Sequence, residues 1–233
     1  MQNFNGIDLS VLGLLEINRF NNSKAFYDEH KEEIKQKGRV PLSKLALDIS
    51  PYMYDIDDEI FINPGNMVSR IRRDTRFTKD KSLYRQNIWM IFRHKKNEQH
   101  RSPVFWVEYC PSFYSYGVGY FGCTPDFMEF YRKMLREDWR EWADIISDLR
   151  EKGYMTDGER YKREKPGCPD PAVSDLYNLK ELFFVKVNSD LSRLAEPSFL
   201  DEYKSAVADM TAAYKYILKL HKLYLIQKGE DDA

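Results

Sequence analysis

Cysteine is scarce in this chain and lacks the spacing that disulfide or metal chemistry uses. The 233 residues include three cysteines, Cys110, Cys123 and Cys168, and no CxxC pair. An odd number of widely spaced cysteines argues against a disulfide framework and against a zinc knuckle. We therefore expect free thiols, no bound metal and a cytoplasmic location, where thiols stay reduced.

Long apolar runs and an excess of charge of one sign are also missing. No stretch reaches the ~18 apolar residues that span a membrane, and the start MQNFNGIDLS lacks the basic and apolar regions of a signal peptide. The chain has 36 Lys and Arg against 37 Asp and Glu, a formal net charge of −1. This balance argues against a surface that is coated by nucleic acid or by an anionic membrane, and we expect no membrane partner.

What remains is the composition of a globular domain, with 42% apolar, 15% aromatic and 31% charged residues. Apolar residues recur at helical spacing near both ends of the chain. Asn22 is predicted to cap the second helix, Gly38 to end it, and Pro51 to kink or end the third. Two long helices are predicted nearer the C-terminus, at 125–150 and 198–226.

Between these helices the apolar pattern changes to that of strands. Four segments have strand composition: Met67–Phe77, 88–92, 104–109 and 113–121. The intervals between them are too short for crossover helices, which favours an antiparallel meander. The sequence therefore predicts an α+β fold, with a central antiparallel sheet flanked by N-terminal and C-terminal helices, in a single domain over residues 1–233. A further strand is predicted at 182–187.

The segment Arg70–Arg85 concentrates positive charge in a chain that is otherwise balanced. Seven Lys or Arg residues against two Asp give it a local charge of +5. If residues 69–77 form a strand, Ile71 and Phe77 mark its core face, and Arg73 points inward with them. An inward guanidinium requires a carboxylate or an anionic ligand, because a buried charge without a partner is strongly destabilising.

Two interpretations of this segment remain open. In the first, Asp74 and Asp80 neutralise arginines in an internal ion-pair lattice, and acids elsewhere such as Glu108, Asp126 and Glu129 are available to it. In the second, the segment presents an anion site for a small phosphorylated or carboxylated ligand. The candidate ligand-binding residues are Arg73, Arg76, Lys79, Lys81 and Tyr84.

The same basic patch also suits a nucleic-acid or protein interaction module that uses an exposed edge strand beside tyrosines. Nucleic acid is the less favoured partner, because the chain as a whole is nearly neutral. Arginines lower the pKa values of adjacent carboxylates, so neither aspartate is named as a general acid or base. The sequence identifies no catalytic residue, cofactor or oligomeric state, and it does not decide whether the protein is an enzyme.

Two further motifs resemble a dinucleotide site and a metal site, but each fits a simpler structural role. GVGYFG at 117–122 matches GxGxxG, yet Thr124 starts the following helix too late for a dinucleotide site. The bare strand face around Gly119 instead suits a crossing helix or a ligand groove. The polar stretch HKKNEQH is predicted to be a hairpin loop, where we expect no metal site. Its metal-ligating residue types are His94, Glu98 and His100.

The thirteen residues RDTRFTKDKSLYR, at 73–85, carry a resemblance to a known family. They resemble the signature of the uncharacterised bacterial conserved family "domain of unknown function 2461", which has RDTRF, one or two variable residues and KDKSPYK. Three further stretches are similar to family features: Asn21 and Asn22, Gly117–Pro125, and GERYKREKPG at 158–167. The resemblance spans roughly residues 8–205 and departs from the signature at Leu83, where Pro is usual, and at Arg85, where Lys is usual. It implies an α+β domain and supplies no reaction, cofactor or catalytic residue.

Overall fold

The structure, a computed structural model, describes residues 2–76, 79–95 and 101–229. Its strands are β1 (Ile60–Phe61), β2 (Ile88–His94), β3 (Ser102–Tyr109), β4 (Tyr114–Phe121), β5 (Met155–Asp157) and β6 (Leu182–Asn188). They form one six-stranded antiparallel sheet in the order β1-β2-β3-β4-β6-β5. The neighbouring strands β2, β3 and β4 are consecutive in sequence, so the predicted meander and the α+β class are confirmed. The strand predicted at 182–187 is confirmed as β6.

Helices precede, interrupt and follow the strands. They are α1 (Ser10–Asn21), α2 (Lys24–Ile34), α3 (Val40–Ile56), α4 (Pro64–Met67), α5 (Pro125–Glu137), α6 (Arg140–Glu151), α7 (Ser174–Tyr177) and α8 (Phe199–Lys228). In the described ranges, none of them combines the length and the apolar character that a membrane-crossing helix requires.

The chain packs into two compact units. The first comprises Met1–Phe92, Trp106–Tyr116 and Val187–Ser205, and the second comprises Arg93–Phe105, Gly117–Lys186 and Ala206–Ala233. The first unit contains the basic segment and the N-terminal helices, and the second contains α5 and α6. A single domain over the whole chain stays a prediction.

The junction between α1 and α2, in the first unit, differs from its prediction. Asn22 ends α1, with a left-handed φ of 46°, and its N–H donates to the Asn18 carbonyl at 3.0 Å. Ser23 caps α2 instead, because its hydroxyl accepts from the Phe26 N–H at 3.5 Å. The prediction that Asn22 caps the second helix is therefore wrong. Asparagine suits the observed position because it tolerates the left-handed region better than most residues.

The prediction that Gly38 ends the second helix is also wrong. A π-helical turn over Lys35–Arg39 joins α2 to α3, and Gly38 is buried within it. A methyl group at this glycine would lie 2.5 Å from Ile88 Cδ1 and 2.9 Å from the Tyr109 hydroxyl oxygen. Only glycine fits at this position, because β2 and β3 approach the helical turn closely here. Gly38 does not end a helix.

Helix α3 continues past Pro51 to Ile56, so Pro51 does not end it. A proline has no N–H, and the carbonyl four residues earlier, that of Leu47, loses its usual backbone donor. The Ser50 hydroxyl donates to this Leu47 carbonyl at 2.8 Å. A neighbouring side chain therefore supplies the hydrogen bond that the proline removes, and the helix survives.

The prediction of a strand over Met67–Phe77 is wrong. Helix α4 ends at Met67, and the described residues that follow make isolated antiparallel bridges, from Val68 to Met90 and from Arg72 to Tyr84. Phe77 lies outside the described residues. The Arg39 side chain gives a physical reason, because its guanidinium donates to the carbonyls of residues 68 and 69 at 3.3 and 2.9 Å. Carbonyls bonded to a side chain do not continue a strand ladder.

The sheet in the first unit has one closed face and one partly open face. Along β2, Ile88 and Met90 are buried, whereas Trp89 is half-buried. Along β3, Tyr109 is fully buried and Glu108 is half-buried. Because side chains alternate across a sheet, the half-buried residues share one face. This partly open face adjoins the basic segment.

In the second unit, the helix predicted over 125–150 divides in two at Asp138. Asp138 has an extended conformation, and its carboxylate accepts the Arg140 N–H at 3.2 Å. A short acidic side chain that bonds a nearby backbone N–H ends one helix and starts the next. The predicted start is confirmed, since the Thr124 hydroxyl accepts the Phe127 N–H at 3.1 Å.

Gly119 in β4 also belongs to the second unit, and its surroundings correct the prediction made for it. A methyl group there would lie 2.1 Å from both the Leu182 carbonyl oxygen and Phe183 Cδ1. The neighbouring strand β6 therefore occupies the space beside the glycine. Among the described residues, no ligand groove opens beside Gly119, and the crossing helix stays a prediction.

All three cysteines are free thiols, as expected. Cys110 is buried, and Cys123 and Cys168 are half-buried. Burial raises the pKa of the Cys123 thiol to about 12. At neutral pH this thiol stays protonated and is a poor nucleophile.

Gly38→Ala is expected to destabilise the protein by about 1–3 kcal/mol, because the added methyl overpacks a full core. Gly13→Ala is the matched control, since Gly13 lies in α1 with nothing within 4 Å of an added methyl. Alanine in an open helix position stabilises by about 0.5–1 kcal/mol relative to glycine. Urea unfolding measures both changes. A Gly38→Ala variant as stable as Gly13→Ala contradicts the close approach.

Candidate functional site

Two short arms of the basic segment pair with each other like a hairpin. The Arg73 N–H donates to the Leu83 carbonyl at 2.8 Å, and the Arg85 N–H donates to the Ile71 carbonyl at 2.9 Å. These bonds flank the bridge between residues 72 and 84. In antiparallel pairing, opposite residues point to the same side and successive residues alternate. Arg73 and Arg85 therefore share one face, which we call the arginine face.

Asp80 ties this hairpin to helix α1. Its carboxylate accepts the Arg19 guanidinium at 3.0 Å and also pairs with the Arg73 guanidinium. The Ser82 N–H donates to the other carboxylate oxygen at 2.9 Å, together with the Ser82 hydroxyl. These Ser82 bonds first, and then the Arg73 bond, hold the pKa of Asp80 well below its usual range. Asp80 is consequently ionised at every physiological pH.

Asn22 makes a second tie between α1 and the hairpin. Its side-chain oxygen accepts the Leu83 N–H at 2.6 Å. The left-handed conformation of Asn22 at the end of α1 exposes this side chain beyond the last helical turn. The end of α1 therefore contacts the hairpin twice, through the Arg19–Asp80 ion pair and through the hydrogen bond that Asn22 accepts from the Leu83 backbone.

Asp74 and Arg76 form a separate local pair. The Arg76 Nε donates to Asp74 at 3.0 Å, and its Nη2 donates at 2.7 Å. The Arg76 bonds lower the pKa of Asp74 to about 2. Both side chains are largely exposed, at 75% and 56%, so the pair contributes little to stability. Arg76 is thereby neutralised within the loop.

Arg85 stands apart from these pairs. It is half-buried, and its Nε has no hydrogen-bond partner among the described residues. Its guanidinium carbon lies 5.9 Å from the centre of the Trp89 ring. Burial, and next the positive charge of Arg73, lower the pKa of Arg85, while the Glu108 carboxylate opposes them. Glu108 itself accepts the Asn87 side-chain amide at 3.0 Å.

Asn18 is a further polar group without a partner. It is fully buried in α1, and neither atom of its amide has a hydrogen-bond partner within residues 2–76, 79–95 and 101–229. The Tyr109 hydroxyl in the same unit is also buried without a partner there, and burial raises the pKa of Tyr109. Buried polar groups are normally satisfied, so each of these marks a departure from ordinary core packing.

The structure brings some of the predicted site residues together and separates others. Arg73 lies on the arginine face with one fifth of its side chain exposed (20%), paired with Asp80. The Lys81 ammonium donates to the Thr75 carbonyl at 2.8 Å, and Lys79 is exposed. Tyr84 lies on the opposite face of the hairpin, buried and stacked on a ring of α2. A buried Tyr84 does not present its hydroxyl to a ligand on the arginine face.

Sequence reasoning missed the contribution of α1 to this site. Arg19 pairs with a residue 61 positions away, and no local pattern marks such a partner. The available signal was the asparagine pair at residues 21 and 22, which resembles a family feature. Of the residues considered as metal ligands, His94 belongs to β2, and Glu98 and His100 lie outside the described residues.

One known protein family matches most of this chain. The sequence model of the conserved hypothetical protein family DUF2461 matches residues 10–216. No curated protein matches the chain. The matched range includes α1, the hairpin and the loop at 158–167, so every residue of the site described above lies inside it.

Asp80→Asn is expected to lower the melting temperature at pH 7, because it removes the shared partner of Arg19 and Arg73. A carboxylate with a lowered pKa stabilises fully above its unfolded value, about 3.9, and this contribution is lost as the pH falls through the folded value. The difference between wild type and Asp80→Asn should therefore shrink below about pH 4.

Asp74→Asn is the matched control, since its partner Arg76 lies in the same loop and the pair is exposed. It should change the melting temperature little at pH 7. Thermal melts from pH 7 to pH 3 measure both variants. Equal losses from the two substitutions contradict the role of Asp80 as the tie to α1.

Proposed function

The chain belongs to DUF2461, a family of conserved hypothetical proteins, and we propose that Arg73 and Arg85 bind a small phosphorylated or carboxylated molecule on the arginine face. The hairpin supplies both guanidinium groups from opposite arms. Helix α1 holds the hairpin in place through Asp80. The ligand's anionic group would accept hydrogen bonds from the terminal nitrogens of the Arg85 guanidinium.

The observation that carries this proposal is the state of Arg85. A half-buried guanidinium without a bonded carboxylate has a desolvation cost that its surroundings do not offset. Its Nε has no partner among the described residues, and the neighbouring Arg73 adds like charge. An anion that accepts hydrogen bonds from Arg85 offsets both its desolvation cost and its repulsion from Arg73. Phosphate and carboxylate oxygens fit the planar donor geometry of a guanidinium.

The surrounding charges divide into those that are neutralised and those that are available. The ion-pair lattice accounts for Arg73 through Asp80 and for Arg76 through Asp74. Lys79 and Lys81 are exposed, and neither forms an ion pair among the described residues. They therefore suit electrostatic attraction of an anion, whereas the inner contact falls to Arg85. Lattice and ligand site are compatible, because Arg85 lies outside the lattice and Arg73 bonds Asp80 through Nη1 alone among the described residues.

Trp89 and Glu108 add an aromatic ring and a hydrogen-bond acceptor to the arginine face. Trp89 offers a half-buried ring beside Arg85, and Glu108 offers a carboxylate acceptor on the same face of the sheet. A ligand with an anionic group, an apolar or planar body and a hydrogen-bond donor matches this set.

Arg85→Met is the direct test of the proposal. Inorganic phosphate should raise the melting temperature of the wild type, since a ligand at a hundredfold excess over its Kd adds about 2.7 kcal/mol of stability. The variant should lose this increase. Without phosphate it should be as stable as wild type or more stable, because an uncompensated guanidinium is replaced by an apolar side chain.

Arg70→Met is the matched control, because Arg70 is an exposed arginine of the same segment. It should keep the phosphate response of the wild type. The proposal is wrong if phosphate leaves the wild-type melt unmoved, or if Arg85→Met keeps the full response. Binding of a polynucleotide with steep salt dependence, in place of a phosphate response, would identify an interaction module instead.

A further inference from the structure

The second unit contains a basic cavity that the arginine face does not use. Its volume is about 570 Å³, and it is lined by Tyr161, Lys162, Arg163, Glu164, Lys165, Pro166 and Lys180. Four of these side chains are cationic and one is anionic. We infer that this cavity binds a diphosphate group, either as the free ion or as part of a larger molecule.

The loop that forms the cavity is held at both ends by backbone contacts. The Tyr161 N–H donates to the Asn178 carbonyl at 3.0 Å, and the Lys165 N–H donates to the Asn178 side-chain oxygen at 2.8 Å. Asn178 is itself buried, with 6% of its surface exposed. One buried residue therefore holds both ends of a five-residue stretch, so the cations on it have a fixed arrangement.

Arg132 supports the aromatic wall of the cavity from inside. Its guanidinium donates to the Tyr177 carbonyl at 2.9 Å and to the Leu179 carbonyl at 3.2 Å, and only 2% of the residue is exposed. Its guanidinium carbon lies 5.0 Å from the centre of the Tyr161 ring. Arg132 is thus occupied by structural contacts, and its part in the site is to position Tyr161.

Three of the four cations of the cavity have no ion-pair partner among the described residues. Lys165 lies with its ammonium nitrogen 4.3 Å from the centre of the Tyr161 ring. Neither Lys165 nor the exposed Lys162 and Arg163 forms an ion pair in the part of the chain that the structure describes. Lys180 is neutralised by Glu159 at 2.6 Å. Three cations on one anchored loop therefore remain for a ligand.

The charge and the size of the cavity together select the ligand class. The volume falls within the range of about 300–1,000 Å³ that small-molecule sites occupy. With Glu164 counted, the three unpaired cations leave the cavity a net charge of +2, and a diphosphate, which has oxygens on two phosphate groups, can contact all three cations at once. Binding along a polynucleotide backbone uses a groove that tracks several nucleotides. Here the available cations lie within four residues of one loop, which favours a compact anion.

Calorimetric titration with inorganic diphosphate tests this inference. The Arg85→Met background is used, so that the arginine face does not contribute. Lys165→Met and Lys162→Met should each weaken diphosphate binding by about tenfold, the effect of losing one charge-assisted hydrogen bond. Lys215→Met is the matched control, because Lys215 is an exposed lysine of α8 in the same unit, and it should leave binding unchanged.

Lys162 is exposed and forms no side-chain hydrogen bond or ion pair among the described residues, so its substitution separates binding from folding. Diphosphate that fails to bind at millimolar concentration overturns the inference. Equal affinity in Lys162→Met, Lys165→Met and the control also overturns it. Single-stranded RNA that binds at this loop without competition from diphosphate would identify a nucleic-acid surface instead. None of these results affects the phosphate response of the arginine face, which is measured by the difference between the wild-type and Arg85→Met melts.

Discussion

The carboxylate of Asp80 is shared by two guanidinium groups that belong to different elements of the first unit. Arg19 reaches it from helix α1 and Arg73 from the arm of a hairpin, with Ser82 completing its hydrogen bonds. Removing this carboxylate takes the shared partner from both guanidinium groups, so the two ion pairs depend on one residue. The position of the hairpin on α1, and with it the arginine face, depends on this carboxylate.

The same constraint explains why Arg85 is left over. The two aspartates of the basic segment are committed, Asp80 to Arg73 and Asp74 to Arg76. No acid of the segment remains for the second guanidinium of the arginine face, and Glu108 on the adjacent strand acts on it by charge. A local excess of cations alone does not define a ligand site. A cation that is half-buried and incompletely bonded, beside others that are satisfied, is a stronger indication.

How far the sequence predicted this structure depends on the range of the interactions involved. The strands β2, β3 and β4 followed from apolar runs between short turns, because alternation is a local property of the backbone. The need of Arg73 for a carboxylate partner was also local, since Asp80 lies seven residues away and pairs with it although the surrounding strand did not form. Asn22 behaved otherwise than expected, since it ends α1 in a left-handed turn, and Pro51 does not end α3, where a serine hydroxyl bonds the freed carbonyl. The pairing of Arg19 has no local signature at all, because it is fixed only by tertiary packing.

The central claim is that the Arg85 guanidinium donates hydrogen bonds to a bound anion. The most direct measurement is a ¹H–¹⁵N spectrum of the arginine Nε–H groups during titration with inorganic phosphate, with the Arg85 signal assigned by its absence in Arg85→Lys. The account predicts that the Arg85 signal shifts and saturates, while the Arg76 signal, bonded to Asp74, stays in place. An Arg85 signal that does not move at millimolar phosphate, or that moves only as much as that of Arg76, would contradict it.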